Sequence, residues 1–159
     1  MVLAASRRPF IETDTMSQTR TVTPEDAQAL MQQGYTYIDV RNEIEFEQGH
    51  PVGAYNVPLT QMTDFGPEPN DSFIEVMNHH FGPNAKLVIG CGAGVTSRQA
   101  ASMLVQAGYK DIVDYRAGFN GCRDAAGKKS PGWVDRGLPV EYGQPERRSF
   151  EALAEPIRR

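Results

Sequence analysis

The run Lys86-Leu87-Val88-Ile89-Gly90 reads as a short apolar strand, and it ends directly on Cys91. The next residues, Gly92-Ala93-Gly94-Val95-Thr96, form a turn of small side chains. From Ser97 the spacing of Ala100, Ala101, Leu104 and Val105 predicts a helix that ends at Gly108. A strand that passes straight through a small-residue loop into a helix must bury the strand in a sheet and lay the helix on one face of it.

The rest of the chain repeats that alternation. Thr23-Pro24-Glu25-Asp26 supplies a capping Thr, a Pro at the first helical position and early acids, which predicts a helix to about Gly34. Tyr35 to Val40 is aromatic and β-branched and stops at Arg41-Asn42-Glu43, a strand with polar groups at its carboxyl end. A short helix is expected from Glu43 to Gln48 and a longer one from Ser72 to Phe81, closed by Gly82-Pro83. Ile112 to Tyr115 reads as a further strand. Gly66-Pro67-Glu68-Pro69-Asn70 reads as turn material, and a loop-rich region runs through Trp133. The expected class is α/β, with a central, mostly parallel β-sheet carrying helices on both faces.

At 159 residues the chain has room for one core. The expected organisation is an N-terminal extension over residues 1–20, one domain over 21–143 and a charged C-terminal tail over 144–159. That tail, with Arg147, Arg148, Arg158 and Arg159, reads as a solvated end. A net charge of -4 gives no basic footprint for nucleic acid. No apolar run approaches the roughly 20 residues of a membrane helix, so no membrane span is expected. Arg7, Arg8, Glu12 and Asp14 interrupt the opening residues, which do not read as a secretory signal, and a cytoplasmic location is the expectation.

The two cysteines lack paired metal-ligand spacing, which leaves reactivity or packing to explain each. Cys91 stands at the carboxyl end of a strand just before a helix, where open α/β sheets bind their ligands. Gly92, Ala93 and Gly94 are small enough for successive backbone N–H groups to turn inward as an anion cradle, and the helix adds its positive end. Both fields favour a thiolate nucleophile and would equally favour the terminal sulfur of a Cys–S–S⁻ product. No metal and no organic cofactor is called for. Cys122 has no such context, and packing is its expected role.

Over about Thr21 to Tyr142 the residues resemble the rhodanese family. Asp39-Val40-Arg41 resembles its Asp-x-Arg strand ending, and Phe46-Glu47-Gln48-Gly49-His50 with Gly53-Ala54 resembles its Phe-x-x-Gly-His and Gly-Ala element. Cys91-Gly92-Ala93-Gly94-Val95-Thr96 is similar to its six-residue active-site loop. Ala117-Gly118-Phe119 and Gly137-Leu138-Pro139-Val140 are similar to its closing region. The resemblance implies a rhodanese-like fold and sulfur transfer, with Cys91 as the covalent catalyst. It implies that Gly92, Ala93, Gly94, Val95 and Thr96 bind the anionic sulfur or substrate, with Asp39, Arg41 and Ser97 supporting the loop. The implied partners are a small sulfur donor, thiosulfate or 3-mercaptopyruvate, and a thiol, cyanide or protein acceptor. His50 is expected to be structural, a polar group satisfied inside a turn.

Some residues depart from the family pattern. Pro51-Val52 follows His50 where an aliphatic residue and then Pro is usual, and Thr96 stands where many single-domain members carry Arg. Cys-Gly-Ala-Gly-Val-Thr is closest to the Cys-Gly-Ser-Gly-Val-Thr loop of mercaptopyruvate sulfurtransferases and lacks the basic side chains of the thiosulfate-specific loop. Arg98, in the first turn of the helix, either compensates for that missing charge or is an exposed helix residue. Trp133 is expected to be core or lid packing. Two other readings compete: a phosphatase or arsenate reductase, whose loop would need an Arg where Ser97 stands, and a binding or redox-sensing module without turnover.

Overall fold

The structure, a computed structural model, describes residues 12–13 and 20–158. Its elements in chain order begin with β1 (Glu12–Thr13), β2 (Arg20–Thr21), α1 (Pro24–Gln32), β3 (Thr36–Asp39), α2 (Glu43–Glu47), β4 (His50–Pro51) and β5 (Tyr55–Asn56). The hairpin β6 (Thr60–Thr63) and β7 (Gly66–Pro69) follows, then α3 (Phe73–His80), β8 (Lys86–Gly90), α4 (Val95–Gln106) and β9 (Asp111–Asp114). A second hairpin, β10 (Cys122–Arg123) and β11 (Lys129–Ser130), then β12 (Val140–Glu141) and α5 (Phe150–Arg158) complete the chain.

The central sheet has the order β1-β2-β9-β8-β3-β5 and is parallel throughout except where β1 pairs antiparallel with β2 at the edge. Alternation along β8 sends Leu87 and Ile89 to one face and Val88 to the other. On the first face they pack with Phe73 and Met77 of α3, Leu104 of α4, and Phe150 and Leu153 of α5. On the second, Val88 joins Ala27 and Leu30 of α1, Phe46 of α2, Tyr37, Tyr115 and Trp133. Helices therefore cover both faces, as a parallel sheet requires. Thr23 caps α1 by accepting the Asp26 N–H at 3.1 Å, and Pro24 opens the helix.

Register sets the site. Asp39 at the end of β3 stands beside Gly90 at the end of β8, so the residues that leave the two strands, Val40-Arg41 and Cys91, emerge side by side. Gly90 is fixed by space rather than by dihedral angle. A Cβ there would run into the Tyr37 hydroxyl and the Tyr115 ring.

Three segments differ from the sequence reading. The region from Glu146 is not a solvated end, because Phe150, Leu153 and Ala154 of α5 are buried in the core. Their i, i+3, i+4 spacing makes an apolar stripe, which the flanking arginines obscure in the sequence. Gly66 to Pro69 is a strand rather than a turn, since its backbone pairs with Thr60–Thr63 despite two prolines. Pro67 and Pro69 remove donors from the ladder and confine this strand to a two-stranded sheet. The N-terminal extension lies almost wholly outside the described residues, and its described parts are β1 and the first residue of β2.

His50 is completely buried. Its Nδ1 donates to the Phe46 carbonyl at 2.6 Å, its Nε2 lies 3.0 Å from Glu141 Oε1, and its ring stacks on Phe46. Arg148 Nη1 donates to the same carboxylate oxygen at 2.6 Å, tying the segment before α5 to β12. Trp133 is packed against Tyr37 with its indole N–H donated to the Pro139 carbonyl at 2.8 Å.

Candidate active site

Cys91 is 3% exposed and carries a free thiol. Its Sγ accepts the Gly94 N–H at 3.0 Å, so the loop curls back over the sulfur. That curl needs Gly94 at φ +91°, with its Cα against the Arg116 carbonyl where a Cβ would collide. The loop's outward carbonyls are pinned from the closing region: Phe119 N–H donates to Cys91 O at 2.7 Å and Asn120 N–H to Gly92 O at 2.9 Å.

Helix α4 follows without a side-chain cap, unlike α1 and α2, whose first turns are satisfied by Thr23 and Asn42. The first N–H groups of an α-helix have no partner within the helix, and here they face the loop rather than a capping oxygen. Ser97 anchors the turn from below. Its buried hydroxyl donates to Asp114 Oδ1 at 2.7 Å, joining α4 to the end of β9.

Asp39 and Arg41 form a buried pair beside the loop. Arg41 Nη2 and Nε reach the Asp39 carboxylate at 2.7 and 3.0 Å, and Nη2 also donates to the Gly49 carbonyl at 2.6 Å. The guanidinium lies 4.3 Å from the centre of the Phe119 ring. Burial alone would push Arg41 down, but the Asp39 carboxylate outweighs it and holds the guanidinium above its ordinary range. Asn56 adds to this corner by donating its amide N–H groups to the carbonyls of Asp39 and Arg41 at 3.0 and 2.9 Å. Behind the loop, burial raises the phenols of Tyr37 and Tyr115 well above their ordinary range. They stay neutral and hydrogen-bond to each other.

Cys91 opens on a cleft of about 330 Å³ lined by Arg41, Asn42, Glu45, Thr60, Cys91, Gly92, Ala93, Thr96 and Asn120. Most of the residues named from sequence meet here: Cys91, Gly92, Ala93, Thr96 and Arg41 line the cleft, while Gly94, Asp39 and Ser97 hold its wall. The Val95 side chain lies outside the described residues. Arg98 does not join them. It lines a different cleft, together with Arg116, Cys122 and Arg123. Cys122 is half-buried in that second cleft rather than packed in the core. Sequence reasoning missed Asn42, Glu45, Thr60 and Asn120. Asn120 had a signal, since it directly follows Ala117-Gly118-Phe119. Thr60 had none, because it is brought in by a hairpin that read as turn.

A buried sulfur that accepts a backbone N–H beside an uncapped helix end can carry negative charge and hold it on a second sulfur. Among the described residues no cluster of His, Cys, Asp and Glu has the arrangement of a metal site. Among the described residues no helix is long and apolar enough to cross a membrane.

The rhodanese-like domain family model matches residues 23–125 of the chain. Thiosulfate sulfurtransferase 16, chloroplastic, of Arabidopsis thaliana is 33% identical over 115 residues, covering 72% of this chain and 87% of the relative. Rhodanese-like domain-containing protein 15, chloroplastic, of the same plant is 36% identical over 115 residues, but the match spans only 57% of its length. Among solved structures, the crystal structure of Rv0390 from M. tuberculosis is similar with a TM-score of 0.64 and 26% identity, covering 77% of this chain and 97% of that one.

Proposed function

The chain belongs to the rhodanese-like domain family, and from that premise we propose that it is a sulfurtransferase working through a persulfide on Cys91. The Cys91 thiolate attacks the outer sulfur of a donor such as thiosulfate, the donor's S–S bond breaks, and sulfite leaves with the electron pair. An acceptor thiolate or cyanide then attacks the terminal sulfur of Cys91–S–S⁻ and returns the Cys91 thiolate, so the cycle needs no outside oxidant or reductant.

The observation that carries this reading is the Gly94 N–H held 3.0 Å from Cys91 Sγ at the mouth of an open cleft. A merely packed cysteine would need neither the donor nor the opening. In this reading the backbone of Gly92 to Thr96 holds the transferred sulfur. Asp39 and Arg41 position the loop from the neighbouring strand end without touching the substrate sulfur, because the guanidinium is already engaged by Asp39, Gly49 and Phe119.

The cleft also bears on the donor. Several relatives are named thiosulfate sulfurtransferases, but here Ala93 brings no charge to the loop and the Glu45 carboxylate stands at the rim. A monoanionic donor such as 3-mercaptopyruvate meets less repulsion there than dianionic thiosulfate. The test is intact-protein mass spectrometry of wild type and Cys91→Ser after exposure to each donor, followed by cyanide. A sulfur-sized gain on the wild type alone, removed by cyanide, is the expected result, and the donor that loads faster is the preferred one. No gain with either donor would sink the reading and leave a binding module.

A further inference from the structure

The hairpin β6–β7 is a two-stranded sheet of its own, outside the central sheet. Its base is held at Asn70, whose N–H donates to the Leu59 carbonyl at 2.9 Å and whose Nδ2 donates to the Pro58 carbonyl at 2.8 Å. What the hairpin presents is apolar. Phe65, in the turn between the strands, is 93% exposed, and Met62 is 56% exposed. Met62 shares a shallow recess with Ile44 of α2, itself 59% exposed, and Asn42 lines both that recess and the Cys91 cleft. Thr60, the first residue of the hairpin, also lines the Cys91 cleft. The apolar rim therefore runs into the mouth of the site. Single exposed apolar residues are ordinary on a protein surface, but three on adjoining elements beside one cleft point to an interface.

Charge narrows what docks there. Residues 42–85 carry seven acidic side chains and no Lys or Arg, while the rest of the chain holds 13 acids against 16 Lys and Arg. That acidic run contains both α2 and the hairpin: Glu45 and Glu47 stand exposed on the helix, Asp64 and Glu68 on the hairpin. Complementary potentials around an apolar centre select a partner, and like charges reject one. A second copy of this chain docked by the same face would set acid against acid, and an anionic lipid surface would be repelled in the same way. A protein surface that sets Lys or Arg around apolar side chains fits.

We propose that the face formed by α2 and the β6–β7 hairpin docks a protein whose Lys and Arg side chains flank an apolar contact and whose thiol enters the Cys91 cleft as the sulfur acceptor. The acceptor role rests on the persulfide reading above, whereas the docking does not. The docked protein's thiolate attacks the terminal sulfur of Cys91–S–S⁻ and that S–S bond breaks. The Cys91 thiolate leaves with the electron pair, and the partner departs carrying the persulfide. Met62 and Phe65 anchor the partner without lining the Cys91 cleft, so they govern which acceptor is used and leave the loading of Cys91 alone.

The probes are two fluorescein-labelled peptides of equal length and identical apolar content, one Lys-rich and one Glu-rich, each made with a central Ser for binding and a central Cys for transfer. Fluorescence anisotropy with the Ser forms reads docking on the full-length protein. The Lys-rich peptide should bind at least about tenfold more tightly than the Glu-rich one, and Met62→Ser/Phe65→Ser, with its circular dichroism unchanged, should weaken it about tenfold. Asp64→Lys/Glu68→Lys, all on the exposed hairpin, should narrow the preference for the Lys-rich peptide by about two- to fivefold. With the Cys forms, Met62→Ser/Phe65→Ser should lower kcat/KM for the Lys-rich acceptor about tenfold and leave transfer to cyanide within about twofold.

No binding of the Lys-rich peptide up to about 1 mM, equal binding of the two peptides, or affinity undiminished in both variants overturns the proposal. Self-association in sedimentation that Phe65→Ser abolishes gives the face to a second copy and overturns it too. Binding without faster transfer than to the Glu-rich Cys peptide refutes the acceptor role. If Cys91 takes up no sulfur from any donor, the sulfurtransferase reading fails while the anisotropy still decides the docking.

Discussion

The Cys91 cleft and the Cys122 cleft meet at Ala93, yet opposite kinds of interaction hold them. On the Cys91 side most of the polar groups are buried and paired, Asp39 with Arg41, Ser97 with Asp114, the loop carbonyls with Phe119 and Asn120, and among the described residues only the buried Asn56 Oδ1 is left without a partner. On the Cys122 side the lining residues come from a short hairpin and the beginning of a helix, and the cysteine is half-buried. Buried, paired polar groups fix geometry closely, whereas exposed side chains leave it loose. The first side is built to place an atom.

The sharpest way to break that contrast is to exchange the sulfurs for oxygens. Cys91→Ser should lower transfer from thiosulfate or mercaptopyruvate to cyanide by on the order of 10³-fold or more, read as thiocyanate formed, while Cys122→Ser keeps most of the rate. Similar losses in both would erase the distinction. Next come the arginines. Arg41→Ala strands a buried carboxylate and should cost about 3–5 kcal/mol in urea unfolding. Arg123→Ala, on the exposed hairpin, should stay within about 0.5 kcal/mol. A small loss for Arg41→Ala would show that Asp39 finds another partner.

The backbone gives a third comparison. Gly94→Ala puts a Cβ at φ +91° into the Arg116 carbonyl and should cost roughly 1–3 kcal/mol together with loop function. Gly127→Ala, at φ +83° on the hairpin with open space around it, should fall at the low end, about 1 kcal/mol. Equal penalties would mean that dihedral strain rather than contact dominates at Gly94. The smallest effect is expected at the shared wall. Ala93→Lys adds one exposed charge worth about 0.5–1 kcal/mol, which is roughly a two- to fivefold gain in kcat/KM for thiosulfate over mercaptopyruvate. An unchanged ratio would show that position 93 does not reach the donor.

Much of the Cys91 side was legible because its determinants are local. An apolar strand, a cysteine, three small residues and a helical stripe are contiguous, and Thr23-Pro24 marks its helix by capping chemistry alone. Asp39 and Arg41 were legible as the polar end of a strand and pair across only two residues, whereas their place beside Cys91 is a product of β3–β8 register that no single segment states. The Cys122 cleft was illegible for the same reason in stronger form. Arg98, Arg116 and Arg123 lie on three different elements, and only the meeting of α4, the β9 turn and a hairpin brings them to one cleft. Helix α5 was hidden differently: Phe150, Leu153 and Ala154 carry the right spacing, but in a segment so rich in arginine that charge masked periodicity. Thr60 and the β6–β7 hairpin were lost to Pro67 and Pro69, which signal turns more strongly than strands.

The two backbone bonds that pin the loop, from Phe119 N–H to Cys91 O and from Asn120 N–H to Gly92 O, also act as a built-in clock. Each amide proton can exchange with solvent deuterium only when the loop carbonyl that covers it lets go. Their exchange rates therefore measure how often the Cys91 loop opens, in a protein left chemically unmodified. A sulfur donor that tightens the loop would slow both clocks together.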